Sequence, residues 1–401
     1  MNEKPHLIIV GAGPAGASLA IRLAQKDFRV TLIERTRFPR PKLCGEFISP
    51  ECLRHFRDLD VFDEMLAAGG ASIETTVFYS PGGKSVTIPS KWFDKAEAGA
   101  LSLSRAAMDL RLLEKAKAVG VEVLEEHSVV GLLSEKDEIG GVKLRTINGE
   151  LKEIFADLIV DATGRTQGLS KMLSRTSPNS QTGEIQNSKS KPGNRLVGFK
   201  AHLENFSLSE NACEIYFFEG GYGGLSRVEN NLANFCFLLR AETVKRYGSD
   251  ARQILEKVIF KNARAKANLQ NARVTHDWLA VSVDNFGRKN LNPATNVFAV
   301  GDAGAFIDPF TGSGMLMAFE SAEILAAAIE ENSSVETIAE RYKIAHHRKF
   351  QKRLYVCSLM RRAAFAPRLA GALISALSIG NFPRKILARA TRPAFSTSKL
   401  D

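Results

Sequence analysis

Three glycines, Gly11, Gly13 and Gly16, separate an apolar run, His6-Leu7-Ile8-Ile9-Val10, from an alanine-rich segment, and Glu34 lies 23 residues beyond the first of them. Residues of these types at this spacing can hold a pyrophosphate. Gly11 permits a tight turn and Gly13 lets the backbone approach the phosphates. Gly16 lets the following helix pack close, so that its N–H groups and dipole face the anion. Glu34 is placed to accept hydrogen bonds from ribose hydroxyls. A carboxylate there suits a free 2′-hydroxyl and repels a 2′-phosphate, which points to FAD or NAD over NADP. A glycine-rich turn without a ligand is the alternative, and it leaves the glutamate unexplained.

A second constellation narrows the choice. Gly301-Asp302-Ala303-Gly304 follows the apolar run Asn296 to Val300, and Pro309-Phe310-Thr311-Gly312-Ser313-Gly314-Met315 opens a helix. An aspartate at a strand end can accept from a ribityl chain. Helix N–H groups aimed at a flavin's pyrimidine edge would stabilise the charge that appears there on reduction. Taken alone this segment also reads as a turn and a capped helix. Together with the first loop it selects FAD.

The elements that must position these residues follow from apolar periodicity. Leu7 to Val10 and Val30 to Ile33 read as buried strands flanking a helix from Ala15 to Lys26. A helix is expected around Pro50 to Phe56, a hairpin over Val77 to Pro89, and a helix over Ala106 to Ala118 feeding a strand at Val121 to Leu124. Val129 to Phe155 reads as a meander punctuated by Gly140-Gly141 and Asn148-Gly149. Leu158 to Val160 is a further strand. Residues 165–195, rich in Ser, Asn, Gln and Lys, read as a mobile surface loop. Leu196 to about Val283 is β-rich with a helix near Ala251 to Asn262, Gly314 to Glu330 is a long helix, and the remainder is helical and basic. The order implies an α/β chain in which a Rossmann-like FAD-binding domain (1–70, 99–195, 285–335) is interleaved with a β-sheet substrate domain (71–98, 196–284), followed by C-terminal helices (336–401).

Five scattered cysteines, never spaced C-x-x-C, argue against a disulfide framework or structural zinc and for a reducing cytoplasm. The apolar run near the N-terminus is too short for a signal peptide, and no run suits a membrane span. The net charge of +10 is concentrated: Arg341 to Asp401 holds fourteen Lys or Arg against one acid. In that tail Leu354, Cys357, Met360 and Ala364, then Leu369, Leu373 and Leu377, recur at helical spacing among Arg361, Arg362, Arg368, Arg384, Lys385, Arg389 and Arg392. Such a segment could lie on an anionic membrane surface, dock an acidic carrier protein, or simply cap the fold with solvated arginines. Nothing resembles a nucleic-acid module.

The glycine loop, Lys42-Leu43-Cys44-Gly45-Glu46, Arg105 before a helix, Asp161-Ala162-Thr163-Gly164 and Gly301-Asp302 through Met315 together resemble the geranylgeranyl-reductase-like flavoproteins, relatives of para-hydroxybenzoate hydroxylase and of flavin-dependent halogenases. The resemblance covers roughly residues 5–330. It implies that Gly11, Gly13, Ala15 and Gly16 hold the pyrophosphate and that Glu34 and Arg35 hold the adenosine ribose. It further implies that Val129 touches the adenine, Arg105 the FAD linker, Asp302 the ribityl-pyrophosphate, and Gly314 and Met315 the isoalloxazine. No second dinucleotide loop exists, which fits a family whose NADH or NADPH reductant binds transiently or not at all. The resemblance also brings Cys44 near the flavin, as a tuning or proton-donating thiol or as a packing residue, with Glu46 either functional or a solvated loop charge. The family's substrate motifs are missing. Gly220-Gly221-Tyr222 is not followed by Trp-x-Phe-Pro, and neither Trp92 nor Trp278 sits in a halogenase Trp-x-Trp-x-Ile-Pro stretch.

Tyr216, Phe218 and Tyr222, with Phe217, Phe235 and Phe237, could line an apolar pocket over the flavin or alternate through a sheet core. The expected activity is an FAD-dependent monooxygenase of an apolar or aromatic small molecule (polyketide, quinone or prenyl). A geranylgeranyl-type double-bond reductase and a flavoprotein that modifies or escorts a protein are the alternatives, and halogenation has the least support.

Overall fold

The computed structural model describes residues 4–390 except 95, 96, 98, 136, 137, 177–194, 333, 367–370, 372, 373 and 379. A five-stranded parallel sheet runs in the order Val297–Ala299, Leu158–Asp161, His6–Val10, Arg29–Ile33, Glu122–Leu124. Its central strands are continuously apolar because both faces are covered. Leu7 and Ile9 face the helices Pro14–Ala24, Arg105–Ala118 and Gly314–Glu330. Ile8 and Val10 point the other way, into Ile139, Val142 and Leu144 of a three-stranded meander, His127–Glu135, Glu138–Thr146 and Leu151–Phe155.

The second sheet has eight strands. Leu196–Glu204, Ala233–Arg240, Gly221–Arg227 and Ala212–Phe218 are antiparallel neighbours, and Ala212–Phe218 then pairs parallel with Thr75–Tyr79 of a hairpin closed by Ser85–Pro89. Its alternation divides the aromatics. Phe199, Tyr216, Phe218 and Phe235 pack with Ile254 and Ile259 beneath the short helices Ala241–Tyr247, Ala251–Lys257 and Ala263–Leu269. Phe217, Tyr222 and Leu238 face the opposite side, together with Ala364, Phe365, Ile374 and Leu377 of the C-terminal segment. The fold class is the expected one: the parallel sheet draws its strands from separated stretches of the chain, and the eight-stranded sheet draws its own from the stretches between them.

Three local expectations are corrected. The Gly140-Gly141 pair is not a turn: it lies within Glu138–Thr146 at a register shift. A Cβ on Gly141 would stand 2.4 Å from the Ile154 carbonyl oxygen of the neighbouring strand, so glycine answers a close backbone approach. The helix near 251–262 is broken, with a 3-10 turn at Ile259–Lys261 capped by Asn262. Of the segment 165–195, Gly168–Thr176 is a helix with Leu169 buried against the meander, while 177–194 lie outside the described residues.

Candidate functional site

An elongated cavity of about 940 Å³ runs between the two sheets, from the glycine loop to the C-terminal helices. At its polar end Gly11 adopts φ +107°, and a Cβ there would lie 2.4 Å from the Ala162 carbonyl oxygen. A Cβ on Gly16 would fall 1.9 Å from the Gly11 carbonyl oxygen, so only glycine lets the helix start this close to the loop. Asp161 anchors the facing turn by accepting from the Thr163 backbone N–H (3.0 Å), the Thr163 hydroxyl (2.6 Å) and the Ser170 N–H (3.2 Å).

The helix Pro14–Ala24 has no side-chain cap and no acid in its first turn, which leaves its N–H groups and positive end for an anion. Cations surround it: Arg35, Arg40, Lys42 and Arg105 all line this end. Burial, then the neighbouring Arg40, pulls the Lys42 ammonium down to about 8. This donor set fits a pyrophosphate.

Glu34 is buried. Its Oε1 accepts from the Thr36 N–H (3.2 Å) and hydroxyl (2.9 Å), and its Oε2 from the Ala12 N–H (3.1 Å) and Arg40 (3.2 Å). Arg40 also donates to Asp109 (3.1 Å), and Asp109 receives Arg105 through two bonds of 2.8 and 2.7 Å. Glu34, Arg40, Asp109 and Arg105 thus form one buried ionic chain from the carboxylate after the strand Arg29–Ile33 to the arginine beside Gly13. Burial works against the Arg105 charge, but Asp109 raises its pKa further. Arg40 and Asp109 escaped the sequence reading because an isolated arginine in a loop and an aspartate within a helix carry no spacing signal.

In the middle of the cavity lie Cys44, Gly45, Glu46, Asp302, Gly314 and Met315. Val129 lines it beside His127 and Ser128. The Gly314–Glu330 helix has no side-chain cap among the described residues and no acid in its first turn, so its positive end is left open to an electron-rich group. Burial raises the half-buried Asp302 to about 6, against the pull of Arg165 and Arg105.

Glu46 is no solvated loop charge. It is fully buried at φ +54° and forms an ion pair with Lys200, accepts from the Arg105 N–H (2.8 Å) and lies 2.7 Å from His202 Nε2. Burial opposes its ionisation, yet the His202 hydrogen bond and the Lys200 charge hold its pKa below the usual carboxylate value. Lys200 and His202 project from the same face of an otherwise apolar strand. Polar residues two apart in such a strand are the signal that could have marked them. Cys44 is half-buried, and its Sγ accepts from the Glu46 N–H at 3.4 Å.

The far half of the cavity is walled by Phe78, Ile215, Phe217, Tyr222 and Phe310, and closed by Met360, Ala364, Ile374, Leu377 and Ala388. The Tyr222 hydroxyl donates to Asp308 (2.9 Å). Tyr216 and Phe218, expected to line the pocket, do not. They point to the other face, where the Tyr216 hydroxyl donates to Glu214 (3.0 Å) and accepts from Asn268 (2.7 Å). The period-2 alternation of the strand sends Phe217 inward in their place.

The tail's apolar stripe is spent in the same way. Cys357 is buried, and Met360 and Ala364 wall the cavity, so this stripe faces the protein interior. Arg368, Leu369, Leu373 and Arg392 lie outside the described residues, as does the Arg389 side chain.

A chain with this interleaved fold and this dinucleotide cradle is a flavoprotein by class. It belongs to the FAD binding domain family, whose match spans residues 4–351. It is similar to digeranylgeranylglycerophospholipid reductase 1 of Methanococcoides burtonii (25% identical, 86% of this chain, 79% of that one). Its fold is shared with a triple mutant of a flavin-dependent brominase (TM-score 0.78, 17% identical, 98% of this chain and 96% of that one). It is shared also with PqsL, a probable FAD-dependent monooxygenase from Pseudomonas aeruginosa (TM-score 0.66, 18% identical, 92% and 100%). The chain is therefore an FAD-dependent oxidoreductase of this family.

Proposed function

We propose that the chain is a monooxygenase of an elongated apolar substrate. The observation that carries this reading is the aromatic half-cavity, walled by Phe78, Phe217, Tyr222 and Phe310 and roofed by the C-terminal helices. FAD, when bound, supplies the two-electron chemistry and the reaction with oxygen. The chain's own residues bind and shield. The glycine loop and its cations hold the pyrophosphate, and Arg105, fixed by Asp109, holds the linker. The uncapped 314–330 helix presents donors to the ring edge, and the aromatic wall orients an apolar chain away from water. Nicotinamide as a transient reductant is part of the proposal.

The second reading, double-bond reduction, is favoured by one observation: the Cys44 thiol lies in the same cavity, where a proton would be needed after hydride delivery. Halogenation gains nothing from Lys200, Lys84 or Lys91. Lys200 is bound to Glu46, and Lys84 and Lys91 are exposed. The test is product mass when the reduced holoprotein is offered geranylgeraniol or squalene. A gain of one oxygen with oxygen consumed supports oxygenation. A gain of two hydrogens without oxygen consumption overturns it and selects the reductase.

A further inference from the structure

The long helix Val335–Ala364 has two opposed faces. One buries Tyr342, Phe350, Arg353 and Cys357 against the body of the protein. The other faces water, yet it carries Ile344, Tyr355 and Leu359 at 60, 66 and 46% exposure. Between these stand Arg348, Lys352 and Arg362, all exposed and none ion-paired among the described residues. The six positions advance by four, four, three, four and three residues, which keeps them on one stripe, about 27 Å long, of the α-helix. From Arg341 to the helix end there is no carboxylate. The last described helix, Asn381–Ala390, repeats the pattern with Phe382 and Ile386 at 77 and 53% exposure flanking Lys385. Both helices turn other residues, Met360 with Ala364 and Ala388 respectively, into the cavity.

Single exposed hydrophobes need no explanation. A periodic stripe alternating cations with aromatic and aliphatic side chains does, because it needs a partner that is anionic at its surface and apolar just beneath. A second copy of this chain does not qualify, since an isologous contact would set arginine against arginine. An acidic protein would satisfy the cations but would gain from the interleaved apolar groups only through a matching apolar relief. A bilayer with anionic headgroups offers both layers at once.

We propose that the Ile344–Arg362 stripe is a docking surface for anionic lipid bilayers, with Tyr355 and Leu359 inserting between headgroups contacted by Arg348, Lys352 and Arg362. An apolar substrate could then pass between bilayer and cavity beside the helices that wall it. The surface stands apart from the reading of the reaction: oxygenation and reduction use the same cavity, and binding is measured without turnover.

The test is co-sedimentation of the full FAD-loaded protein with vesicles at about 0.1 M salt, where exposed charges still act over about 10 Å. Vesicles containing phosphatidylglycerol should bind it, pure phosphatidylcholine should not, and about 1 M salt should release it. The triple variant R348Q/K352Q/R362Q should bind about 100-fold more weakly, at roughly fivefold per cation. Y355S/L359S should also weaken binding, with circular dichroism and flavin content unchanged in both. Failure to bind the phosphatidylglycerol vesicles, equal binding to both lipids, or unweakened binding by the triple variant overturns the proposal. Poly-L-glutamate held as tightly by Y355S/L359S as by the natural chain overturns it too, in favour of an acidic protein.

Discussion

Replacing Glu46 by glutamine removes the carboxylate that, among the described residues, alone pairs with Lys200, whose side chain is 3% exposed and whose remaining partner there is the Lys42 carbonyl oxygen at 3.1 Å. Stripping one partner from a buried pair costs about 3–5 kcal/mol, because the other charge stays desolvated. The glutamine carbonyl can still accept from the Arg105 N–H, so the lower end, about 3 kcal/mol, is expected. With a urea dependence of about 3 kcal/mol per molar, the unfolding midpoint should fall by about 1 M. K200M alone should cost a comparable amount by leaving Glu46 buried with only His202 and the Arg105 N–H. The double variant E46Q/K200M should recover much of the loss, since removing both charges removes both desolvation costs.

The pH dependence has a definite sign. The Glu46 pKa is lowered in the folded state, so its stabilisation is present above the ordinary carboxylate value and lost as pH falls through the lowered folded value. The gap between the natural chain and E46Q should therefore close in acid. A midpoint shift under about 0.3 M, a double variant no better than the worse single one, or a gap that persists in acid would refute this account of the site.

Gly16→Ala should yield a colourless protein that fails to take up FAD, because the methyl group would meet the Gly11 carbonyl oxygen; flavin absorbance after purification checks it. Asp302→Asn should flatten a pH dependence of the opposite sign in the apoprotein. Asp302 is raised to about 6, so its contribution is present below the ordinary aspartate value and lost as pH rises through 6, a swing of up to about 3 kcal/mol readable from melts between pH 4 and 7. Tyr216→Phe should cost about 1 kcal/mol of stability by removing the hydroxyl that donates to Glu214 and accepts from Asn268, which keep Arg264 and each other as partners, and leave turnover unchanged. Phe217→Ala should instead raise KM for an apolar substrate, and the opposite assignment of the two phenotypes would contradict the strand register.

The sequence by itself determined the cofactor class of this protein. Gly11 to Gly16, Glu34 and Asp302 to Met315 are local in their logic: a turn, a helix end and a strand end each do their work with neighbours in the chain, so spacing reveals them. Continuous apolar runs likewise announced the parallel sheet, because strands covered on both faces have no polar side to show. Tertiary structure decided everything that depends on which face a residue takes or on who meets it across the chain. Tyr216 and Phe218 differ from Phe217 by one residue, and only the register of the eight-stranded sheet tells which of them sees the cavity. Glu46 stood open between a functional group and a solvated loop charge until Lys200 and His202, more than 150 residues away, closed over it. The tail's described apolar positions divide between an inner set, of which Met360 and Ala364 wall the cavity, and an outer one facing water. Helical periodicity names the stripes, but only packing assigns their sides, because burial is a property of the partner as much as of the residue.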